Sequence, residues 1–308
     1  MSWCRPDQEK SMSDQPFLSI VIPMFNEADV IAGVLTQLQA MFASQLPEIS
    51  HEILVVDDGS ADGSADIVAG LGDTAVHLHQ HPYNIGNGAA VKTGIRNAQG
   101  EYILLMDADG QHKPEDIPRL LEHIDRYDMV VGARTGESDT AVHRDLANFI
   151  YNTFASYVCG RKIKDLTSGF RVIRADIAKS LVYMLPNTFS YPTTITLAVV
   201  RSGFSLNYVP IVAHKRVGKS KIKLLRDGSR FFMILFKIAT LFSPLKIFVP
   251  ASIFTFLVGF LYGAFKVIVL HSRYGPTSAM LMTIAWVIFL IGLVSEQITY
   301  LRYDKTQS

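Results

Sequence analysis

Apolar residues follow two rhythms along this chain, and the change between them divides it. Up to about residue 220 they come in short runs: FLSIVIP (17–23), EILVVDD (52–58), AVHLHQ (75–80), YILLMDAD (102–109) and DMVVGAR (128–134). Between most of these lie stretches with apolar positions three or four apart, such as ADVIAGVLTQLQAMFA (28–43) and GAAVKTGIRNA (88–98). Short β-branched runs are strand signals, and the wider spacing is the helical one. Strand and helix in alternation predict an α/β domain over 17–220, with a parallel sheet covered on both faces.

Beyond residue 220 the pattern changes twice. SKIKLLRDGSRFFMILFKIATLFSPLKIF (220–248) mixes basic and apolar residues at helical spacing. It predicts juxtamembrane amphipathic helices at 221–246, with Lys and Arg at lipid phosphates; a helix packed on the preceding domain is the alternative. IFVPASIFTFLVGFLYGAFKVIVL (247–270) then carries one charge, Lys266, and TSAMLMTIAWVIFLIGLVSEQITYL (277–301) carries one, Glu296. At about 1.5 Å per residue each exceeds the roughly 30 Å of bilayer hydrocarbon. Two transmembrane helices joined by HSRYGP are expected, rather than buried helices of a large core. Lys266 and Glu296 are each expected near an interface, where long side chains reach the headgroups.

The lead, residues 1–16, has no apolar core and is expected to be disordered, neither signal peptide nor anchor. The α/β domain is then cytosolic, and two spans return the tail, 302–308, to the same side. The expectation is a multi-pass protein of the cytoplasmic (inner) membrane. Its 29 basic and 28 acidic side chains nearly cancel, so nothing in the charge points to nucleic acid. Cys4 and Cys159 make neither a disulfide framework nor a zinc site.

Ligands of such sheets bind outside the carboxyl ends of the strands. Here those ends read PMFNE (23–27), DDGSADGS (57–64), DADGQH (107–112) and GAR (132–134), three with carboxylates and one with arginine. A nucleotide held by acidic residues, with a metal on its diphosphate, fits this rim. Plainer readings stand beside it: DDGSADGS suits a turn followed by a helix cap. NIGNGAAVKTG (84–94) fails the phosphate-loop pattern, because Val91 stands where glycine must precede Lys92 and Thr93, so a helix start is expected. His77, His79 and His81 alternate and suit an exposed edge strand better than a metal site.

Asp107 and Asp109 share a side if strand geometry persists through Ala108. Two adjacent carboxylates repel, and a hard divalent cation, Mg²⁺ or Mn²⁺, offsets that while also taking phosphates and water. Capping of a helix at PEDIPRLLEHI (114–124) is the alternative.

SIVIPMFNE, VVDDGSADGS, NIGNGAAVKTGI and MDADGQHKPEDI, in this order, resemble the nucleotide-sugar domain of family 2 glycosyltransferases, which has the Rossmann-like GT-A fold. DLTSGFR (165–171), HKRVGKSK (214–221) and the two apolar helices narrow the resemblance to polyprenyl-phosphate glycosyltransferases, similar to dolichyl-phosphate mannose and glucose synthases. The resemblance implies a nucleoside pocket lined by Pro23, Asn26, Glu27, Asp57 and Asp58, with Asp107 near the ribose and the metal. It puts Asp109 and Gln111 on the cation with Asp107, and Arg134, Arg144 and Arg216 at phosphates of donor or acceptor, with Lys219 and Ser220 in the nearby loop. The catalytic roles fall to Asp109, Arg134 and Arg216.

Hydroxyl acceptors need a base, but a phosphate monoester, with a second pKa near ~6, is already an oxyanion. FSYPTTITLA (189–198), where relatives acting on hydroxyls are expected to carry an acid, has none. The Q-x-x-R-W motif of processive synthases is absent, the tryptophans being Trp3 and Trp286. The expected function is inverting transfer of one hexose from a GDP- or UDP-linked sugar to undecaprenyl or dolichyl phosphate at the cytosolic face. The alternatives are a membrane-anchored transferase acting on hydroxyls and a non-catalytic membrane scaffold. The sugar, and whether the chain forms a homo-oligomer, stay open.

Overall fold

The structure, a computed structural model, describes residues 15–135, 142–188, 191–212, 236 and 240–304, with 142–149 and 302–304 described by backbone alone. Residues 1–14, Arg216, Lys219, Ser220 and, of the 221–246 segment, residues 221–235 and 237–239 lie outside the described residues. The chain divides into two compact units, residues 1–145 with 164–220 and residues 146–163 with 221–308.

The first unit is built from β1 (Leu18–Met24), α1 (Ile31–Gln45), β2 (His51–Asp57), α2 (Ser64–Gly70), β3 (Val76–Gln80), α3 (Asn87–Asn97), β4 (Tyr102–Leu105), α4 (Ile117–Leu121) and β5 (Met129–Arg134). α5 (Val142–Cys159) crosses into the second unit, and β6 (Arg171–Arg174), α6 (Ala175–Leu181), α7 (Tyr191–Arg201) and β7 (Leu206–Ile211) complete the first. The seven strands form one sheet in the order β3-β2-β1-β4-β6-β5-β7.

The five strand-like runs of the sequence are all strands, and β3 is a sheet edge, as expected for His77 and His79, whereas His81 lies past its end with a side chain only 11 % exposed. The expected parallel sheet is instead mixed, because β6 runs antiparallel to both β4 and β5. A parallel return needs a crossover that carries the chain back to the starting end of the sheet. β6 pairs antiparallel with β5, so it starts at the end of the sheet where β5 finishes and runs the other way. Four residues flanked by arginines, RVIR, gave no apolar run to announce it.

Ile31, Val34, Leu35, Leu38, Met41 and Phe42 of α1 are buried at helical spacing and pack with β1, β2 and β4 into the main core. On α3, Gly94 lets the helix lie directly on β1: a Cβ there would stand 2.2 Å from Val21 Cγ1. These contacts fix the carboxyl ends of β1, β2 and β4 side by side.

In the second unit, α8 (Leu245–Ile268) and α9 (Pro276–Asp304) are the two long apolar helices, each long and apolar enough to cross a bilayer. They pack through glycine. A Cβ at Gly259 would meet Leu281 Cβ at 2.8 Å, and one at Gly292 would meet Phe248 Cβ at 2.6 Å. Glu296 caps the hairpin, its carboxylate accepting the Leu245 N–H at 3.3 Å at the start of α8.

Candidate functional site

At the end of β1 the chain turns through Asn26, held at a left-handed φ of 54°. Asn26 N–H donates to Ser60 Oγ at 2.9 Å while Ala61 N–H donates to Asn26 Oδ1 at 2.9 Å. Glu27 N–H donates to Ser64 Oγ at 3.0 Å, and Ala28 N–H to Asp62 Oδ2 at 3.0 Å. PMFNE and DDGSADGS, separate motifs in sequence, are thereby zipped into one rim. Burial would raise the Asp62 pKa, but hydrogen bonds from Ser64 and the Ala28 amide hold it below the usual carboxylate range.

Neighbouring Asp57 and Asp58 do different work. Asp57 accepts the Ser60 N–H at 3.1 Å within its own turn. Asp58 reaches the NIGNG loop, accepting Ile85 N–H at 3.0 Å and Gly86 N–H at 2.7 Å, and contacts His81 Nδ1 at 2.8 Å. His81 Nε2 in turn meets Thr93 Oγ1 at 2.9 Å. His81 is thus a fastener of this loop.

NIGNGAAVKTG is a glycine-assisted helix start. Gly86, at φ 124°, precedes α3, and Gly88 passes so close to the 186–188 backbone that a Cβ would stand 2.0 Å from Pro186 O. Ala89 N–H donates to Asn187 O at 2.8 Å, so a carbonyl of this chain occupies the helix start where a phosphate loop would hold phosphate. Lys92 Nζ donates to Leu185 O at 3.3 Å and bonds Asn187 Oδ1.

β4 stops at Leu105, with Met106 N–H adding one last bond to Val21 O at 3.1 Å. Strand geometry therefore does not persist through Ala108, and period-two alternation is not what groups Asp107 with Asp109. A turn does so, with Gly110 at φ 71° and Gln111 N–H donating to Asp109 Oδ1 at 3.1 Å. Asp109 is 9 % exposed. Tyr191, at the start of α7, feels both carboxylates: burial first, then Asp107 and Asp109, push its phenol well above the usual range, Arg171 opposing.

The 165–171 segment sets the other wall. Arg134 Nε and Nη2 grip Asp165 at 2.9 Å each, and Arg134 N–H donates to Asp165 Oδ2 at 3.1 Å. Asp165 also accepts the amides of Thr167 and Ser168, both at 3.1 Å. Its burial would raise its pKa, but the bonds to Arg134 and that residue's charge hold it below the usual range. Gly169 abuts Asp107 directly; a Cβ there would lie 2.4 Å from Oδ2 and 3.0 Å from Cγ. Arg171, 0 % exposed, donates to Pro192 O at 2.9 Å, to Thr196 Oγ1 at 2.8 Å and to Ser168 O, tying this segment to α7. His112 stacks on Phe170 with centroids 5.1 Å apart. Burial, then Arg134, lowers its pKa to about 4 against the opposing Asp165, so the ring is neutral.

Pro23, Asn26, Glu27, Asp57, Asp58, Asp107, Asp109 and Gln111 thus lie at or just past the carboxyl ends of the neighbouring strands β1, β2 and β4, while Arg134 ends β5, beyond β6, and is held there by Asp165. Arg144 sits on the first turn of α5, described by backbone alone. Sequence reasoning gave no role to Asp165, Gly169, Arg171, Tyr191 or His112. Four of these five lie in quoted segments, DLTSGFR and FSYPTTITLA, and His112 in DADGQH, but only their contacts reveal what they do.

Among the described residues no three His, Cys, Asp or Glu side chains converge as a metal site. Two carboxylates and an amide oxygen are nonetheless the hard donor set that Mg²⁺ or Mn²⁺ takes when phosphates and water supply the remaining positions. Asp107, Asp109 and Gln111 fit a cation shared with a phosphorylated ligand.

The chain matches the description "Glycosyl transferase family 2" over residues 19–182 and "GtrB C-terminal hairpin" over 243–301. It is 28 % identical to the undecaprenyl-phosphate 4-deoxy-4-formamido-L-arabinose transferase of Edwardsiella ictaluri, over 94 % of this chain and 90 % of that protein. It is 30 % identical to the polyprenol monophosphomannose synthase of Mycolicibacterium smegmatis, over 71 % of this chain and 84 % of that one. Among solved structures it resembles the glucosyl-3-phosphoglycerate synthase of Mycobacterium tuberculosis, in complex with Mn²⁺, uridine diphosphate and phosphoglyceric acid. That likeness has a TM-score of 0.57 at 16 % identity, covers 73 % of this chain and 78 % of that one, and speaks for the fold.

Proposed function

From the premise that this chain belongs to glycosyl transferase family 2, we propose that it transfers a single hexose from a nucleotide sugar to the phosphate of a polyprenyl phosphate at a membrane surface. The observation that carries this reading is the pairing of a family 2 domain with a C-terminal hairpin in one chain, shared along most of its length with a relative named for undecaprenyl phosphate. The absence of any acid from 189–198 supports a phosphate acceptor over a hydroxyl.

In the proposed reaction the nucleoside lies on the rim made by Pro23, Asn26, Glu27, Asp57 and Asp58, and the donor diphosphate lies over Asp107, Asp109 and Gln111. A divalent cation bound there supplies charge neutralisation for the leaving diphosphate. The 3.1 Å bond from the Gln111 N–H orients the Asp109 carboxylate within this turn. Arg134, aimed by the Asp165 fork, adds positive charge beside the phosphates. Arg144 and Arg216, with Lys219 and Ser220, are assigned to the acceptor phosphate. That oxyanion attacks the anomeric carbon in line with the departing diphosphate, inverting it, and needs no base.

The test is a panel of GDP- and UDP-linked sugars offered with undecaprenyl phosphate to membranes containing the full chain. Metal-dependent transfer from one donor to the lipid is expected. No transfer from any donor, with correctly folded protein, overturns the proposal.

A further inference from the structure

α5 ends at Gly160, whose φ of 70° opens a left-handed turn and whose N–H returns to Ser156 O at 2.8 Å. The chain then folds back on its own helix: Ile163, buried, donates its N–H to Ser156 Oγ at 2.9 Å. Arg161 and Lys162 are left exposed at the tip of this built turn, with no ion pair or side-chain hydrogen bond among the described residues.

The same helix end is fastened to the first turn of α8. Lys246 Nζ donates to Tyr157 O at 2.6 Å and to Val158 O at 2.9 Å, a cation at the helix carboxyl terminus where the dipole favours it. Ser243 Oγ donates to Val158 O at 3.0 Å, and Tyr157 OH donates to Lys246 O at 3.1 Å. All these residues belong to the second unit, so the turn's height relative to α8 is fixed. Lys246 and Lys266 are the charged residues of α8, and the stretch between them is predominantly apolar, so Arg161 and Lys162 sit at the level where the hairpin leaves hydrocarbon. Tyr157, on the last turn of α5 with Lys246 Nζ 5.5 Å from its ring centroid, is 53 % exposed, an amphipathic aromatic of the kind favoured at that level.

We propose that the α5–α8 junction, with Arg161, Lys162 and Tyr157, is a docking surface for anionic phospholipid headgroups. It is a footing distinct in sequence from the 221–246 segment, and it rests on the reading of α8 and α9 as membrane-spanning. Two unpaired cations carried by a fixed turn at a lipid surface select anionic over zwitterionic headgroups, about fivefold per cation. The tyrosine holds the turn in the interface while the arginine and lysine meet the lipid phosphates.

Cys159 lies within this turn and serves as the reporter. The full chain carrying Cys4→Ser, labelled at Cys159 with a bimane, is placed in nanodiscs containing equal fractions of headgroup-nitroxide lipid, either phosphatidylglycerol or phosphatidylcholine. The anionic quencher is expected to quench at least about twofold more than the zwitterionic one, and the ratio to fall to one in Arg161→Gln/Lys162→Gln. Equal quenching by both lipids, or a ratio unchanged in the double variant, overturns the proposal. A separate label at Ile291→Cys, on a Cys4→Ser/Cys159→Ser background, reports the membrane reading itself. Failure of an acyl-chain nitroxide to quench it refutes spanning, whereas quenching there with no headgroup preference at Cys159 refutes only the docking surface.

Discussion

Gly169→Ala is the most economical perturbation of the site. The added Cβ would lie 2.4 Å from Asp107 Oδ2, 3.0 Å from Cγ and 3.2 Å from Oδ1, so the whole carboxylate, not one flexible tip, stands in the way. Restoring ordinary contact requires a shift of about 1 Å, and a misplacement of that size costs on the order of 10²-fold in rate, or about 2.7 kcal/mol. Gly169 is not one of the positive-φ glycines, so the backbone accepts alanine without torsional strain. The assay is kcat/KM for the nucleotide sugar, with the Mn²⁺ activation curve and the melting temperature taken on the same preparation. A fall of about 10²-fold is expected, with a stability loss no larger than the ~1–3 kcal/mol of one overpacked methyl group. Wild-type turnover and an unshifted metal requirement would refute the placement of Asp107 in the metal and ribose site.

Asp109→Ala should lower metal-dependent transfer by at least about 10³-fold, measured as labelled lipid product, because it removes the carboxylate most enclosed by the turn. Asp165→Asn breaks an ion pair whose side chains are 8 % and 18 % exposed, with an expected loss of about 3 kcal/mol in denaturant melts of the full chain. Because the folded Asp165 pKa lies below its unfolded value near ~3.9, its contribution is complete above that value and disappears as pH falls through the folded pKa. The variant should therefore lose less stability than wild type on acidification below about pH 4, and parallel acid profiles would contradict the pair's role. Gly88→Ala drives a Cβ to 2.0 Å from Pro186 O and should cost about 1–3 kcal/mol through displacement of the 185–188 segment; an unchanged melting temperature would count against that docking.

The fold was legible where apolar runs were long. β1, β2, β4 and β5, and the helices on α1 and α3, followed from periodicity, and the C-terminal helices from uninterrupted apolarity. β6 was not, since RVIR is four residues long and owes its pairing to strands far away in sequence. The site divides the same way. Asp107 and Asp109 announced themselves as a pair, but a turn and Gly110, not strand alternation, bring them together. Asp57 and Asp58 read alike in the sequence, while the Asp58 carboxylate accepts the Ile85 and Gly86 amides 27 and 28 positions on. The grip of Asp165 on Arg134 and the seat of Gly169 against Asp107 are long-range contacts that no local pattern encodes.

In the proposed reaction a lipid phosphate, not a hydroxyl, receives the sugar. The direct measurement offers the full chain, in membranes with its preferred nucleotide sugar and Mn²⁺, undecaprenyl phosphate and undecaprenol in competition, and then treats the labelled lipid with mild acid. Product is expected from the phosphate alone, releasing its sugar in acid as a glycosyl phosphate does. An acid-stable glycoside formed on undecaprenol would contradict it.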